Sequence, residues 1–216
     1  MYIQMKYRVL VLKSIFVAVL VAEGSSKTKL ARISLRQRLN IVYDIARCLC
    51  FLHEEKCLPH GNLKATNIVL FGPNLTAKLT DYGLHHLIIP TSNVEMMLSM
   101  GAHGYKDPEE DAFPCYETDV YAFGVLIMEI LTRKRAGDII SGEPDAVDLV
   151  DWVKKYAESN NSKARMEFFD ADISNSADAL SVMKKLLDLS LQCILPVNER
   201  PDIRCIARDL SSITVR

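Results

Sequence analysis

No C-x-x-C pair occurs in the chain, although it has six cysteines: Cys48, Cys50, Cys57, Cys115, Cys193 and Cys205. Thiols scattered in this way suit a reducing compartment and exclude a zinc ribbon or a disulfide framework. His85 and His86 have no further ligand at useful spacing, so they read as a surface pair. An excess of one charge is missing too. The 26 basic and 27 acidic residues give a formal net charge of -1, without the basic surplus that nonspecific nucleic-acid binding requires. Long apolar runs are also lacking. Val9 to Ala22, VLVLKSIFVAVLVA, is 14 residues long and contains Lys13, whereas a helix needs about 20 apolar residues to cross a bilayer. Lys6 and Arg8 ahead of it resemble the basic start of a signal peptide. The plainer expectation is an apolar strand or helix docked on the core, with anchoring by residues 9–22 as the alternative. There is no internal repeat and no low-complexity tract. What remains, 49% hydrophobic and 25% charged over 216 residues, is enough for a domain with a sizeable core.

Glu23 to Arg32 is a polar, basic break. Ser34 followed by Gln37 is a capping-box signal. Leu35, Leu39, Val42, Ile45, Ala46, Leu49 and Leu52 then recur at helical spacing and predict a helix ending near His53. Ile68–Phe71 and Ala77–Thr80 flank a Gly-Pro-Asn turn and predict a small hairpin. Asp81 to Glu117 has no period and reads as a long loop of the kind that carries function. Thr118–Thr132 is apolar nearly all round and predicts a central buried helix. Residues 146–158 read as an amphipathic helix anchored by Trp152. Leu180, Met183, Leu187, Leu191 and Ile194 mark the next helix, and a last one begins at Pro201.

Three short elements fall in order along this frame: HGNLKATN (His60–Asn67), DYG (Asp81–Gly83) and GYKDPE (Gly104–Glu109). They flank the hairpin and precede a helix that opens DVYAFGV. Together with DVYAFGVLIMEILTRK and the late NERPDI, they make Leu35 to Ile213 resemble the C-terminal lobe of a eukaryotic protein kinase. The resemblance is greatest to plant leucine-rich-repeat receptor-like kinases. It implies a mainly α fold with one small β-hairpin. It also implies that residues 34–216 form the lobe and residues 1–33 an atypical segment, either a remnant of the N-lobe or unrelated to it. The N-lobe is expected to be largely absent, since no glycines have the G-x-G-x-x-G spacing. VLVLK, Val9–Lys13, looks like a strand lysine only by coincidence.

The family's chemistry transfers phosphate from ATP, and positioning and electrostatics supply nearly all of its rate. By resemblance, Asn67 and Asp81 hold Mg²⁺ and Lys64 steadies the transferred phosphate. The base position, aspartate in H-R-D, falls on Asn62, whose amide cannot take a proton at neutral pH. Gly61 replaces the arginine of that motif, and Ala102 stands where a threonine would meet the catalytic aspartate. Tyr82 and Asp107 are milder departures. Residues with structural roles are expected to survive: Glu109 and Arg200 as an ion pair, and Asp119 as the buried holder of the catalytic loop.

The resulting expectation is a non-catalytic kinase-like domain acting in signalling by contact with other proteins, active kinases included, with weak or absent ATP and Mg binding. An active serine/threonine kinase (or the catalytic half of a longer one) and a truncated product without independent function are the alternatives. The expected location is the cytoplasm or the cytoplasmic face of the plasma membrane.

Overall fold

Ser34 starts the first helix by a reciprocal cap. Its Oγ accepts from the Gln37 amide at 3.3 Å while Gln37 Oε1 accepts from the Ser34 amide at 2.9 Å. In the computed structural model, which describes residues 9–11, 33–84, 104–109, 114–140, 147–158, 168–174 and 176–215, this helix is α1, Leu35–Cys50. Its predicted stripe is buried. Beyond Cys50 the chain widens into a π-helical turn, Phe51–Glu55, in place of the plain α-helical end that the spacing predicts. Such turns insert a residue into the helical period and re-aim side chains. Here His53 is turned inward and Phe51 is left half exposed.

The hairpin forms from β2, Ile68–Phe71, and β3, Thr76–Leu79, with Ile68 opposite Leu79 and Phe71 opposite Thr76. The apolar strand expected to dock on the core from the start of residues 9–22 joins this hairpin. A strand β1, Val9–Val11, pairs antiparallel with the other edge of β2, giving a three-stranded sheet in the order β1-β2-β3. A bare β2 edge would present unpaired amides and carbonyls, which an extended apolar segment satisfies. Residues 12–32, the His85–His86 pair and Ala102 lie outside the described residues.

The central helix α2, Tyr116–Thr132, is buried at every residue from Asp119 to Thr132. It begins two residues earlier than the apolar pattern predicts because Cys115 caps it. Thr118 N donates to Cys115 Sγ at 3.4 Å, and Thr118 Oγ1 accepts from Cys115 N at 3.0 Å. Around α2 pack α3, Leu149–Glu158, and α4, Ala177–Cys193. A Cβ at Gly124 would stand 2.6 Å from Cys193 Cβ, so α2 and α4 touch nearly backbone to backbone there. Trp152 of α3 stacks on Phe168 at 4.8 Å. The last helix, α5, Ile203–Ser211, starts after Asp202 rather than at Pro201. The Asp202 carboxylate accepts from Cys205 N at 2.8 Å and makes the stronger cap.

Candidate functional site

The 60–67 loop is held from below by one carboxylate. Asp119, in the first turn of α2 and 2% exposed, accepts from His60 N at 2.6 Å and from Gly61 N at 2.9 Å. Its Oδ2 also meets His53 Nε2 at 2.8 Å. The π-helical turn that re-aims His53 thus completes the clamp, a role the sequence reading did not anticipate. Gly61 has φ +73, in the left-handed region, so glycine suits a backbone that a longer residue would strain.

Within the loop, His60 is fully buried and its Nδ1 accepts from Asn62 N at 3.2 Å. Burial holds its pKa below the ordinary histidine value, so the ring is neutral, with its proton on Nε2. That Nε2 lies toward the Thr80 backbone but makes no directed hydrogen bond. Asn62, at the base position, gives its carbonyl to Asn67 Nδ2 at 2.8 Å. Lys64 is half-buried and leads into the 3₁₀ turn Ala65–Asn67.

The hairpin brings the DYG segment back to this loop. Thr80 N donates to Asn67 O at 2.9 Å, and Gly83 N donates to His60 O at 2.9 Å. Between them Asp81 is exposed and has φ +60, a conformation that a non-glycine residue adopts at a cost of order 1–3 kcal/mol. Asn67, with its Nδ2 committed, has no hydrogen bond to Oδ1 among the described residues. An amide oxygen and an exposed carboxylate on adjoining segments form a donor set that suits Mg²⁺ carrying phosphate and water as its other ligands. No group of three or more His, Cys, Asp and Glu residues able to hold a metal by themselves occurs among the described residues. The half-exposed Tyr82 ring stands edge-on to His60, centroids 6.4 Å apart. A groove of about 430 Å³ runs between α1 and β3 and includes Tyr82, but no residue of the 60–67 loop lines it.

The expected Glu109–Arg200 ion pair is not the one formed. Arg200 Nη1 lies 2.6 Å from Asp107 Oδ2, both side chains 1% exposed. The Nη1 hydrogen bond itself is aimed at Glu117 O, 2.8 Å away, and Oδ2 receives no aligned N–H, so the contact is charge against charge. Leu195 O accepts from Arg200 Nε and Nη2, and the guanidinium sits 5.3 Å from the Tyr121 ring centroid. Glu109 is exposed and, among the described residues, accepts only from Val197 N, at 3.2 Å. The physical reason is reach: the shorter Asp107 side chain enters the arginine cavity, and its Oδ1 is kept in place by Glu109 N at 3.1 Å.

Two further buried networks escaped the sequence reading. Glu129 of α2 accepts from Tyr105 O–H and, at 2.8 Å, from Ala136 N. The Tyr105 oxygen in turn accepts from Ala65 N at 3.2 Å. Burial, the largest cause, pushes the Glu129 carboxyl up to about 7 and holds the Tyr105 hydroxyl well above its ordinary value. A lone glutamate inside the apolar run IMEIL was the available signal, since a charge in such a helix needs a partner. The other network joins Arg38 of α1 to Asp170, with Arg38 Nη1 also donating to Ile130 O at 2.7 Å. Its partners are too far apart in sequence for spacing to show.

This geometry agrees with the comparisons. A family model described as protein tyrosine and serine/threonine kinase matches residues 6–210. A probable inactive receptor kinase of Arabidopsis thaliana is 44% identical over 185 residues, which is 84% of this chain and 17% of that protein. The LRR receptor-like serine/threonine-protein kinase GHR1 of the same plant is 44% identical over 182 residues, 82% of this chain and 17% of that protein. Among solved structures, the kinase domain of maize SIRK1 bound to AMP-PNP shares 39% identity at a TM-score of 0.72, covering 85% of this chain and 61% of that one. The pseudokinase domain of BIR2, an immune regulator of the RLK/Pelle family, shares 25% identity at a TM-score of 0.65, covering 84% of this chain and 53% of that one. The chain belongs to the protein kinase family, within the kinase domains of plant receptor-like kinases. It spans 17% of the length of those two receptors. No helix among the described residues is long and apolar enough to cross a membrane.

Proposed function

We propose that this domain is a pseudokinase, a kinase-like lobe that acts in signalling by contact with other proteins and does not transfer phosphate. The observation that carries the reading is Asn62. The loop around it is held in order by Asp119 and His53, yet the residue at the base position is an amide. General-base assistance is typically worth about 10²–10⁴ in rate. A loop preserved in shape but not in chemistry fits selection for a surface. The inactive receptor kinase and the BIR2 pseudokinase among its relatives support the same reading.

Asn67 and Asp81 would hold Mg²⁺, and Lys64 the terminal phosphates, of a weakly bound ATP. Mg²⁺ there would neutralise phosphate charge. Asn67 keeps its Oδ1 available by donating its amide to Asn62 O, and the left-handed Asp81 directs a carboxylate outward. In this reading residues 34–216 form the lobe, with residues 1–33 added to it. Its partners are signalling proteins, active kinases included, at the cytoplasmic face of the plasma membrane. A second reading, a working kinase, keeps its support from the intact Lys64, Asn67 and Asp81 and from the AMP-PNP-bound SIRK1 domain.

The test is incorporation of labelled phosphate into the protein and into a generic basic substrate, with Asp81→Ala as control. No incorporation is expected. Incorporation that Asp81→Ala abolishes would establish the working kinase.

A further inference from the structure

Glu129 stands where three separate pieces of the chain meet, and its carboxyl holds two of them directly and the third through Tyr105. Oε1 accepts from Ala136 N in the turn after α2, and Oε2 accepts from Tyr105 O–H in the 104–109 segment. The Tyr105 oxygen continues the chain by accepting from Ala65 N, which opens the 3₁₀ turn carrying Asn67. Gly104 fits against the same turn so tightly that a Cβ there would lie 2.3 Å from the Ala136 carbonyl. The 104–105 backbone therefore cannot shift without breaking this junction. We propose that Glu129 and Tyr105 form a pH-sensitive latch that fastens the 104–109 segment to the 60–67 loop and releases it as pH rises.

The chemistry follows from the burial of the carboxyl, which is 4% exposed. Neutral, it brings no charge into the junction. Ionised, it is a buried charge with two hydrogen-bond donors and no bulk water, an expensive state. The charged and titratable groups acting on it are Tyr105 from the 104–109 segment and Arg135 and Asp138 from the turn after α2. Tyr105 and Arg135 favour the carboxylate, Asp138 opposes it, and burial outweighs all three, so the value rises from 4.5 to about 7. Opening the junction admits water and returns the group toward its ordinary range. The closed form binds the proton more tightly than the open one, so closure is favoured at acid pH and loses its advantage as pH rises through about 7. Between the ordinary value of 4.5 and about 7 the opening equilibrium grows by about tenfold per pH unit, and above 7, where both forms are ionised, it levels off. Tyr105 transmits the change, because the hydroxyl that leaves Glu129 is the one that holds Ala65.

The latch acts on the protein's own backbone and needs no nucleotide, so its test is separate from that of the proposed function. Hydrogen exchange of the Ala65 amide is followed in the full chain from about pH 4 to 8, spanning the interval between the open and closed values, and corrected for intrinsic exchange. Protection should fall about tenfold per unit between about 4.5 and 7 and be level above 7, while Leu126 and Ile127 in the buried helix keep theirs. Glu129→Gln keeps the shape and an acceptor oxygen but does not titrate, and should flatten the Ala65 profile. Tyr105→Phe should remove the extra Ala65 protection at every pH and remains informative if the first variant fails to fold. A level native profile would overturn the latch. So would an unchanged slope in either variant, or Ala65 exchanging only in step with Leu126 and Ile127.

Discussion

Replacing Asp107 by alanine removes the carboxylate that, among the described residues, meets Arg200 inside the domain. Both side chains are 1% exposed, so the arginine left behind cannot turn to water. Breaking a buried ion pair from one side costs about 3–5 kcal/mol, and the structure decides where each variant falls in that range. In Asp107→Ala the guanidinium keeps Leu195 O, Glu117 O and the face of Tyr121, which places the loss near the low end, about 3 kcal/mol. In Arg200→Ala the Asp107 carboxylate keeps only Glu109 N, and three hydrogen bonds to carbonyls vanish as well, so the loss lies near the high end, about 5 kcal/mol. Glu109→Ala loses a single exposed contact at 3.2 Å to Val197 N, worth about 1 kcal/mol or less. For a domain of this size each kcal/mol moves the melting temperature by about 2–4 °C. Asp107→Ala should therefore melt roughly 6–12 °C low and Glu109→Ala within about 4 °C of the native protein. The assay is thermal denaturation of the three single variants and of the Asp107→Ala/Arg200→Ala double, which should fall well short of additive. Equal losses at Asp107 and Glu109, or a stronger coupling of Arg200 to Glu109 than to Asp107, would refute the assignment.

Gly104→Ala adds a Cβ that meets the Ala136 carbonyl at 2.3 Å, at a φ of +83. It should destabilise by about 2 kcal/mol or more, read by chemical denaturation. Asp119→Asn replaces one acceptor of the 60–67 loop with an N–H group facing another N–H. The expected cost is about 1–3 kcal/mol, with the His60 and Gly61 amides losing protection before the rest of the core. Millimolar Mg·ATP should leave the melting temperature essentially unchanged, because stabilisation follows RT ln(1 + [L]/Kd) and the proposed function gives the site weak affinity. A clear upward shift, lost in Asp81→Ala, would show real affinity.

The helical body was legible because α1, α2 and α4 bury residues whose spacing repeats along the chain, and Ser34 with Gln37 fixed where α1 begins. The loop residues were legible for another reason. HGNLKATN and DYG are local strings, so their placement around the hairpin follows from sequence order. What could not be read were contacts settled by side-chain reach or by distant partners. Asp107 supplants Glu109 through two residues' difference in where a carboxylate enters the cavity. Arg38 finds Asp170 across 132 positions, and β1 finds the edge of β2 from a distant part of the chain, with Val11 opposite Val69. The inward turn of His53 depends on a π-helical widening that no residue type announces.

The central claim, that the loop is kept in shape but has lost phosphotransfer, is tested most directly by repair at position 62. Labelled phosphate incorporation is compared in the native chain, in Asn62→Asp, and in Asn62→Asp combined with Ala102→Thr, each with and without Asp81→Ala. If a missing base were the sole defect, Asn62→Asp should recover about the 10²–10⁴ in rate that such a group supplies. Holding the nucleotide in place contributes more to phosphoryl transfer than the base does, and Gly61 and Ala102 also depart from the family's motifs. The account predicts no incorporation above background in any of the three. Incorporation by the native chain that disappears with Asp81→Ala would contradict it, and incorporation only after repair would show a competent nucleotide site where the account has none.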